Sequence, residues 1–132
     1  MTELPASCPF CLAVSLGRVI ESNAMALALR DDFPVTEGHT LVVPRRHVCD
    51  YFELTPSERE GIHTLLVSQK EALLSDDNQV EGFNIGWNCG LAAGQTVFHA
   101  HVHLIPRRKG DTRDPRGGIR HVIPGRGFYK AP

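Results

Sequence analysis

Between Phe98 and Leu104 the chain reads FHAHVHL, with His99, His101 and His103 at alternate positions. No other stretch constrains the fold as much. Along an extended strand successive side chains point to opposite faces, so residues two apart stand side by side. The spacing therefore predicts a row of three imidazoles on one face, with Phe98, Ala100, Val102 and Leu104 turned toward a core on the other. Each buried ring costs free energy unless it is paired, and three together make poor filler. Such a row suits a metal site or acid–base and nucleophilic chemistry.

The rest of the chain supplies a sheet to carry that strand. GRVIES and MALALRD read as two strands of a hairpin around residues 21–24, and the β-branched run HTLVVP as a third strand ended by Pro44. LTPSEREGIHTLLVSQKEALL reads as the main helix. Thr55 is its N-cap, Pro56 takes the first helical position and Glu58 completes a capping box. Ile62, Leu65, Leu66, Leu73 and Leu74 recur at helical spacing and form its apolar face. GFNIGWN and FHAHVHLI give two further strands, joined by the glycine-rich CGLAAGQT. Strands, one helix, then strands predict an α+β fold: a five-stranded antiparallel meander covered on one face by the helix. The 132 residues suit one domain, 1–132, with a core over about 8–109 and a Gly-, Pro- and Arg-rich tail over 110–132 that wraps the surface.

Composition removes several functions. A net charge of −1 argues against wholesale nucleic-acid binding, which needs a strongly basic face. No apolar run approaches the roughly 20 residues of a membrane span. The stretch MTELPASCPFCLAVSL lacks the positive start of a secretory signal, so a cytoplasmic location is expected. In a reducing compartment Cys8 and Cys11, spaced C-x-x-C, read as half of a metal site, a redox pair or simply small apolar residues. Cys49 and Cys89 read as ordinary small residues, and His63 and His121 as solvent-facing.

The neighbours of the row favour phosphate chemistry. GLAAGQT is a donor-rich turn whose backbone N–H groups, Gln95 amide and Thr96 hydroxyl can face an anion, and Asn88 ends the preceding strand close by. An imidazole beside fixed donors can attack phosphorus while the developing charge is held.

QTVFHAHVHLIPR, with EGHTLVVPRRH and LALRDD upstream, resembles the histidine triad superfamily of nucleotide hydrolases and transferases. The continuation GDTRDPRGG is similar to microbial members of the diadenosine polyphosphate hydrolase and fragile histidine triad type. The resemblance implies a histidine-triad-like fold with one main and one short helix, dimerising into a larger continuous sheet, and an enzyme acting on purine nucleotides. It implies cleavage at the α-phosphate of dinucleoside polyphosphates through a nucleotide bonded to His101. His103 would contact phosphate oxygens, and His39 would support the row from the neighbouring strand. Asn88, Gln95 and Thr96 would hold phosphate oxygens, Asp31 the ribose hydroxyls, and Phe10 would lie against the base. A structural zinc held by Cys8, Cys11, His47 and His99 is implied too, with no organic cofactor. Phosphoramidate hydrolysis and a purely nucleotide-binding regulatory module are the alternatives.

Overall fold

A computed structural model describes residues 7–129. Residues 1–6, which hold part of the stretch read for a signal, and residues 130–132 of the tail lie outside the described residues. Five strands, β1 (Val19–Ser22), β2 (Ala26–Arg30), β3 (Thr40–Pro44), β4 (Val80–Trp87) and β5 (Val102–Arg108), form one antiparallel sheet in the order β1-β2-β3-β5-β4. The expected meander therefore holds only for the first three strands. After β3 the helix α1 (Pro56–Asp76) carries the chain past one strand width. The β4–β5 hairpin then returns β5 into the gap, so that the histidine strand lies inside the sheet, between β3 and the edge strand β4.

The helix forms where its caps predict. Thr55 Oγ1 accepts from the Glu58 N–H at 3.2 Å, and Glu58 Oε1 accepts from the Thr55 N–H at 2.9 Å, which satisfies two of the first turn's free donors. Arg46 donates twice to the buried Glu58 carboxylate, at 2.8 and 3.0 Å, and holds it well below the usual carboxylate range. One ion pair thus ties the turn after β3 to the start of α1. Ile62, Leu65 and Leu73 are buried and Leu66 half-buried, but Leu74 is exposed, because it falls outside the stripe that meets the sheet. In place of a second short helix there are three 3-10 turns, at Tyr51–Glu53, Leu91–Ala93 and Gly118–Val122.

Apolar clusters cover both faces of the sheet. Beneath α1, Ile62 and Leu65 pack on Ala26, Ala28, Val42, Ala100 and Val102. On the opposite face the N-terminal segment lays Cys8, Phe10 and Ala13 over Leu27, Leu29, Leu41 and Val43. The tail returns along that second face: an added Cβ on Gly86 would stand 3.8 Å from the Ile119 side chain.

β5 begins at Val102, four residues later than the sequence suggests, and Phe98 is 43% exposed rather than part of the core. The cause lies on the facing strand. Val42 pairs with Val102, so the next ladder position would bring Ala100 opposite Pro44, which has no N–H to give. The Ala100 N–H bonds instead to the Val48 carbonyl at 2.7 Å, and the chain leaves the sheet just where His99 and His101 lie.

Candidate active site and metal centre

Within the row, backbone acceptors fix the tautomers. His99, buried, donates Nε2–H to the Pro44 carbonyl at 2.8 Å, the acceptor that the broken ladder leaves open. Its Nδ1 is therefore a lone pair. That atom lies 3.5 Å from Cys8 Sγ, 3.4 Å from Cys11 Sγ and 3.1 Å from His47 Nδ1, with Cys11 Sγ also 3.1 Å from His47 Nδ1. Four ligands placed about 2.0–2.3 Å from one tetrahedral zinc stand roughly 3.3–3.8 Å apart. The cluster fits that ion in donor type and number, with two spacings inside that range and two about 0.2 Å tighter, and all four ligand atoms lie within 4.8 Å of one another.

The titration behaviour suits a cation. Burial above all pushes His99 down to about 4, which leaves a neutral ligand. Burial, then the adjacent Cys8, pushes the Cys11 thiol up to about 12. Two thiols crowded in this way repel as anions, and a divalent cation removes the conflict by taking both as thiolates. An ion held by all four would have its tetrahedral coordination filled by protein ligands, the arrangement of structural rather than hydrolytic zinc sites.

His101 turns the other way. Its Nδ1–H donates to the His99 carbonyl at 2.8 Å, so Nε2 carries the lone pair. The ring lines a pocket of about 410 Å³ together with His39, His103, Asp31, Asn88, Thr96 and Phe10. His39 Nδ1 accepts from the Val35 N–H at 3.1 Å, so its Nε2–H donates to His103 Nδ1 at 2.9 Å. His103 must then keep its proton on Nε2. Burial, then His101 and His39, push His103 down to about 4, so it is a neutral donor. The pocket therefore holds one lone-pair nitrogen, on His101, beside one N–H, on His103, with ring centres 5.2 Å apart.

Asp31 Oδ1 accepts from the Phe33 N–H at 2.9 Å, while Oδ2 sits 3.4 Å from His39 Nε2 and 4.0 Å from His103 Nδ1. These three residues are close enough to hold a metal. However, the 2.9 Å between the two imidazole nitrogens matches a hydrogen bond better than the roughly 3.3 Å of two ligands on one ion.

One of the expected contacts differs, and a second residue that lines the pocket has a further role. Gln95 is buried and does not face the pocket. Its Nε2 donates to the carbonyls of Cys49 at 2.6 Å and Val97 at 3.1 Å, and its Oε1 accepts from the Gly90 N–H at 2.8 Å. It clamps the glycine-rich turn, leaving Thr96 and Gly94 to line the pocket. Phe10 is buried as well, and packs on the rings of His99 and His101 with centroids 5.8 and 4.9 Å away. It braces the row, whereas the exposed Phe33 offers the freer aromatic face at the pocket wall.

Leu41, Val35 and Phe33 complete the wall. Leu41 was missed, although its place two residues after His39 could have put it on the same face. The Val35 N–H and the Pro44 and His99 carbonyls were missed too, because backbone groups leave no mark on a sequence. His63 is exposed as expected, and His121 bonds within the tail, to the Arg116 carbonyl at 2.7 Å.

The chain is similar to known proteins over most of its length. The HIT domain model matches residues 15–110. An uncharacterized HIT-like protein of Saccharolobus solfataricus is 38% identical over 106 residues, 75% of this chain and 73% of that one. The asymmetrical bis(5'-nucleosyl)-tetraphosphatase of Schizosaccharomyces pombe is 42% identical over 78 residues, 59% of this chain and 42% of that protein. Among solved structures, a zinc-bound histidine triad family protein from Mycobacterium smegmatis superposes with a TM-score of 0.71 at 38% identity, covering 83% of this chain and 84% of that one. The chain belongs to the HIT family, whose members include nucleotide hydrolases. No helix among the described residues is long and apolar enough to cross a membrane.

Proposed function

We propose that the protein hydrolyses dinucleoside polyphosphates at the α-phosphate, with a purine nucleotide held transiently on His101. The observation that carries this reading is the His101 Nδ1–H bond to the His99 carbonyl, which leaves Nε2 as a lone pair inside the pocket. In the first step the Nε2 lone pair forms the N–P bond, and the bond from phosphorus to the bridging oxygen breaks. The leaving oxygen keeps the electron pair and accepts a hydrogen bond from His103 Nε2–H. The imidazole becomes cationic as it bonds phosphorus, and the His99 carbonyl dipole, already on Nδ1–H, stabilises that charge. Asn88, Thr96 and the Gly94 turn are the donors nearest the non-bridging oxygens.

In the second step water attacks phosphorus on the opposite side, the N–P bond breaks and its electrons return to Nε2. A nucleoside monophosphate and a proton leave. Asp31 is the acceptor for the ribose hydroxyls, and Leu41, Val35 and Phe33 supply an apolar wall for the base. Cys8, Cys11, His47 and His99 would hold a zinc, which would supply rigidity to the row and stand outside these steps. β4, at the open edge of the sheet and with Ile85 exposed, is the strand across which two copies would join.

The test compares turnover of diadenosine tetraphosphate with that of adenosine 5'-phosphoramidate. Release of adenosine monophosphate from the first at the higher kcat/KM supports the reading. Preference for the second makes the protein a phosphoramidase built on the same nucleophile, and turnover of neither makes it a binding module.

A further inference from the structure

A nucleotide seated on the histidines has one end of the pocket left for its base, and that end is charged. The register gives its direction. His103 pairs with Leu41, Leu41 with Leu29 and Leu29 with Val19, so the histidine face runs from β5 across β3 and β2 to β1. Three strand spacings make that path about 14 Å. Along it the phosphate belongs at His101 and Thr96, and the ribose at Asp31. The lining that remains on the β1 side is Pro9, Arg18, Asp32 and Phe33. The whole pocket, about 410 Å³, suits one nucleoside monophosphate.

Arg18 and Asp32 form an ion pair at that end, with Arg18 Nη2 2.8 Å from Asp32 Oδ1. The Arg18 side chain is 24% exposed and that of Asp32 63%. Neither makes another ion pair among the described residues. An ion pair this open adds little to stability. It also leaves the second carboxylate oxygen and the other guanidinium N–H groups outside the pair. The turn that carries Asp32 is pinned, because Asp31 Oδ1 accepts from the Phe33 N–H at 2.9 Å.

The order of the two charges along the pocket decides which purine they suit. Asp32 directly follows Asp31 and stands nearer the ribose, whereas Arg18 stands on the far side, where the chain enters β1. From the sugar outward, guanine presents its 2-amino group, its N1–H and then O6. Adenine presents C2–H, the N1 lone pair and then the 6-amino group. A carboxylate near the ribose accepts from both guanine donors, while the guanidinium beyond it donates to O6. Against adenine the carboxylate meets a lone pair and the guanidinium meets an amino group, which penalises the wrong base.

We propose that Arg18 and Asp32 read the edge of the base and select guanine over adenine. The proposal rests on the reading of the histidine pocket as a nucleotide site, and it names the base that this reading leaves open. Adenosine nucleotides are still accepted, because Phe33 and the apolar wall meet either ring.

The test measures binding and needs no turnover. Calorimetry on the His101→Ala protein would compare guanosine, inosine and adenosine monophosphates, first with the pair intact, then with D32A and with the charge-exchanged R18D/D32R. Guanosine monophosphate is expected to bind about tenfold more tightly than adenosine monophosphate. Inosine monophosphate, which lacks only the 2-amino group, should fall between them. D32A should bring the guanosine ligand down to the adenosine level and leave the adenosine ligand within about twofold. R18D/D32R keeps an ion pair at the rim but exchanges donor and acceptor, so it should lose the preference. Guanine preference retained in R18D/D32R would show that the pair only shapes the rim, and would overturn the proposal. Equal binding of the guanosine and adenosine ligands by the intact pair, equal loss of both in D32A, or binding of none of the three would overturn it too. Equal binding leaves the hydrolase reading standing. If the chain turns over neither diadenosine tetraphosphate nor the phosphoramidate, the hydrolase reading fails, and the ranking of the monophosphates still decides the base.

Discussion

The first two histidines of the row carry the same side chain on the same stretch of chain and are set to opposite purposes. His99 gives its Nε2 proton to Pro44 and turns Nδ1 toward two thiols and His47. His101 gives its Nδ1 proton to the His99 carbonyl and turns Nε2 into the pocket. One backbone carbonyl decides which nitrogen is free in each, and so separates a ligand from a nucleophile two residues away. The two are also joined, because the carbonyl that holds His101 belongs to the residue that the metal would hold.

That comparison can be broken most severely at His101. His101→Gly should lower turnover by about four orders of magnitude or more, with metal content and melting temperature unmoved. Loss of the metal in this variant would show that His99 and His101 act as one unit. Next in size is the ligand end. Cys11→Ser, or stripping the metal with a chelator, should cost more than about 3 kcal/mol of stability by denaturant unfolding. Activity should fall as a consequence, since His101 loses its fixed acceptor, and elemental analysis should show the zinc gone.

A smaller effect is expected at His39. His39→Phe removes the donor to His103 Nδ1 and frees that ring to take the other tautomer. Turnover should fall about a hundredfold with the metal retained. The least drastic test is pH. His103 titrates near 4 in the folded chain against an ordinary 6.5, so as pH falls the unfolded chain takes up the proton first. The stability that His103 contributes should be complete above about pH 6.5 and lost as pH falls toward 4. In His103→Gln that part of the pH dependence of unfolding should disappear.

Much of the architecture was legible because its signals are local. The capping box at Thr55 and Glu58, the β-branched run at β3 and the alternation after Val102 each rest on neighbours in the chain. The C-x-x-C spacing marked Cys8 and Cys11 as half of a metal site, but the full candidate zinc set was legible only through family resemblance, since Cys8 and His99 are 91 residues apart and no spacing rule joins them. Three features escaped. The insertion of β5 between β3 and β4 is a long-range choice. The early end of the β5 ladder depends on which residue opposes Pro44. Gln95 reads as a phosphate donor because its amide suits an anion, but buried among three backbone groups it satisfies them instead.

The central claim is that Nε2 of His101 bonds phosphorus. Incubating the protein with diadenosine tetraphosphate, quenching in base and mapping peptides by mass spectrometry tests it directly. An adenylyl group on the peptide containing His101, absent in His101→Gly, is the predicted result. An adduct on another residue, or full turnover by His101→Gly, would contradict the account.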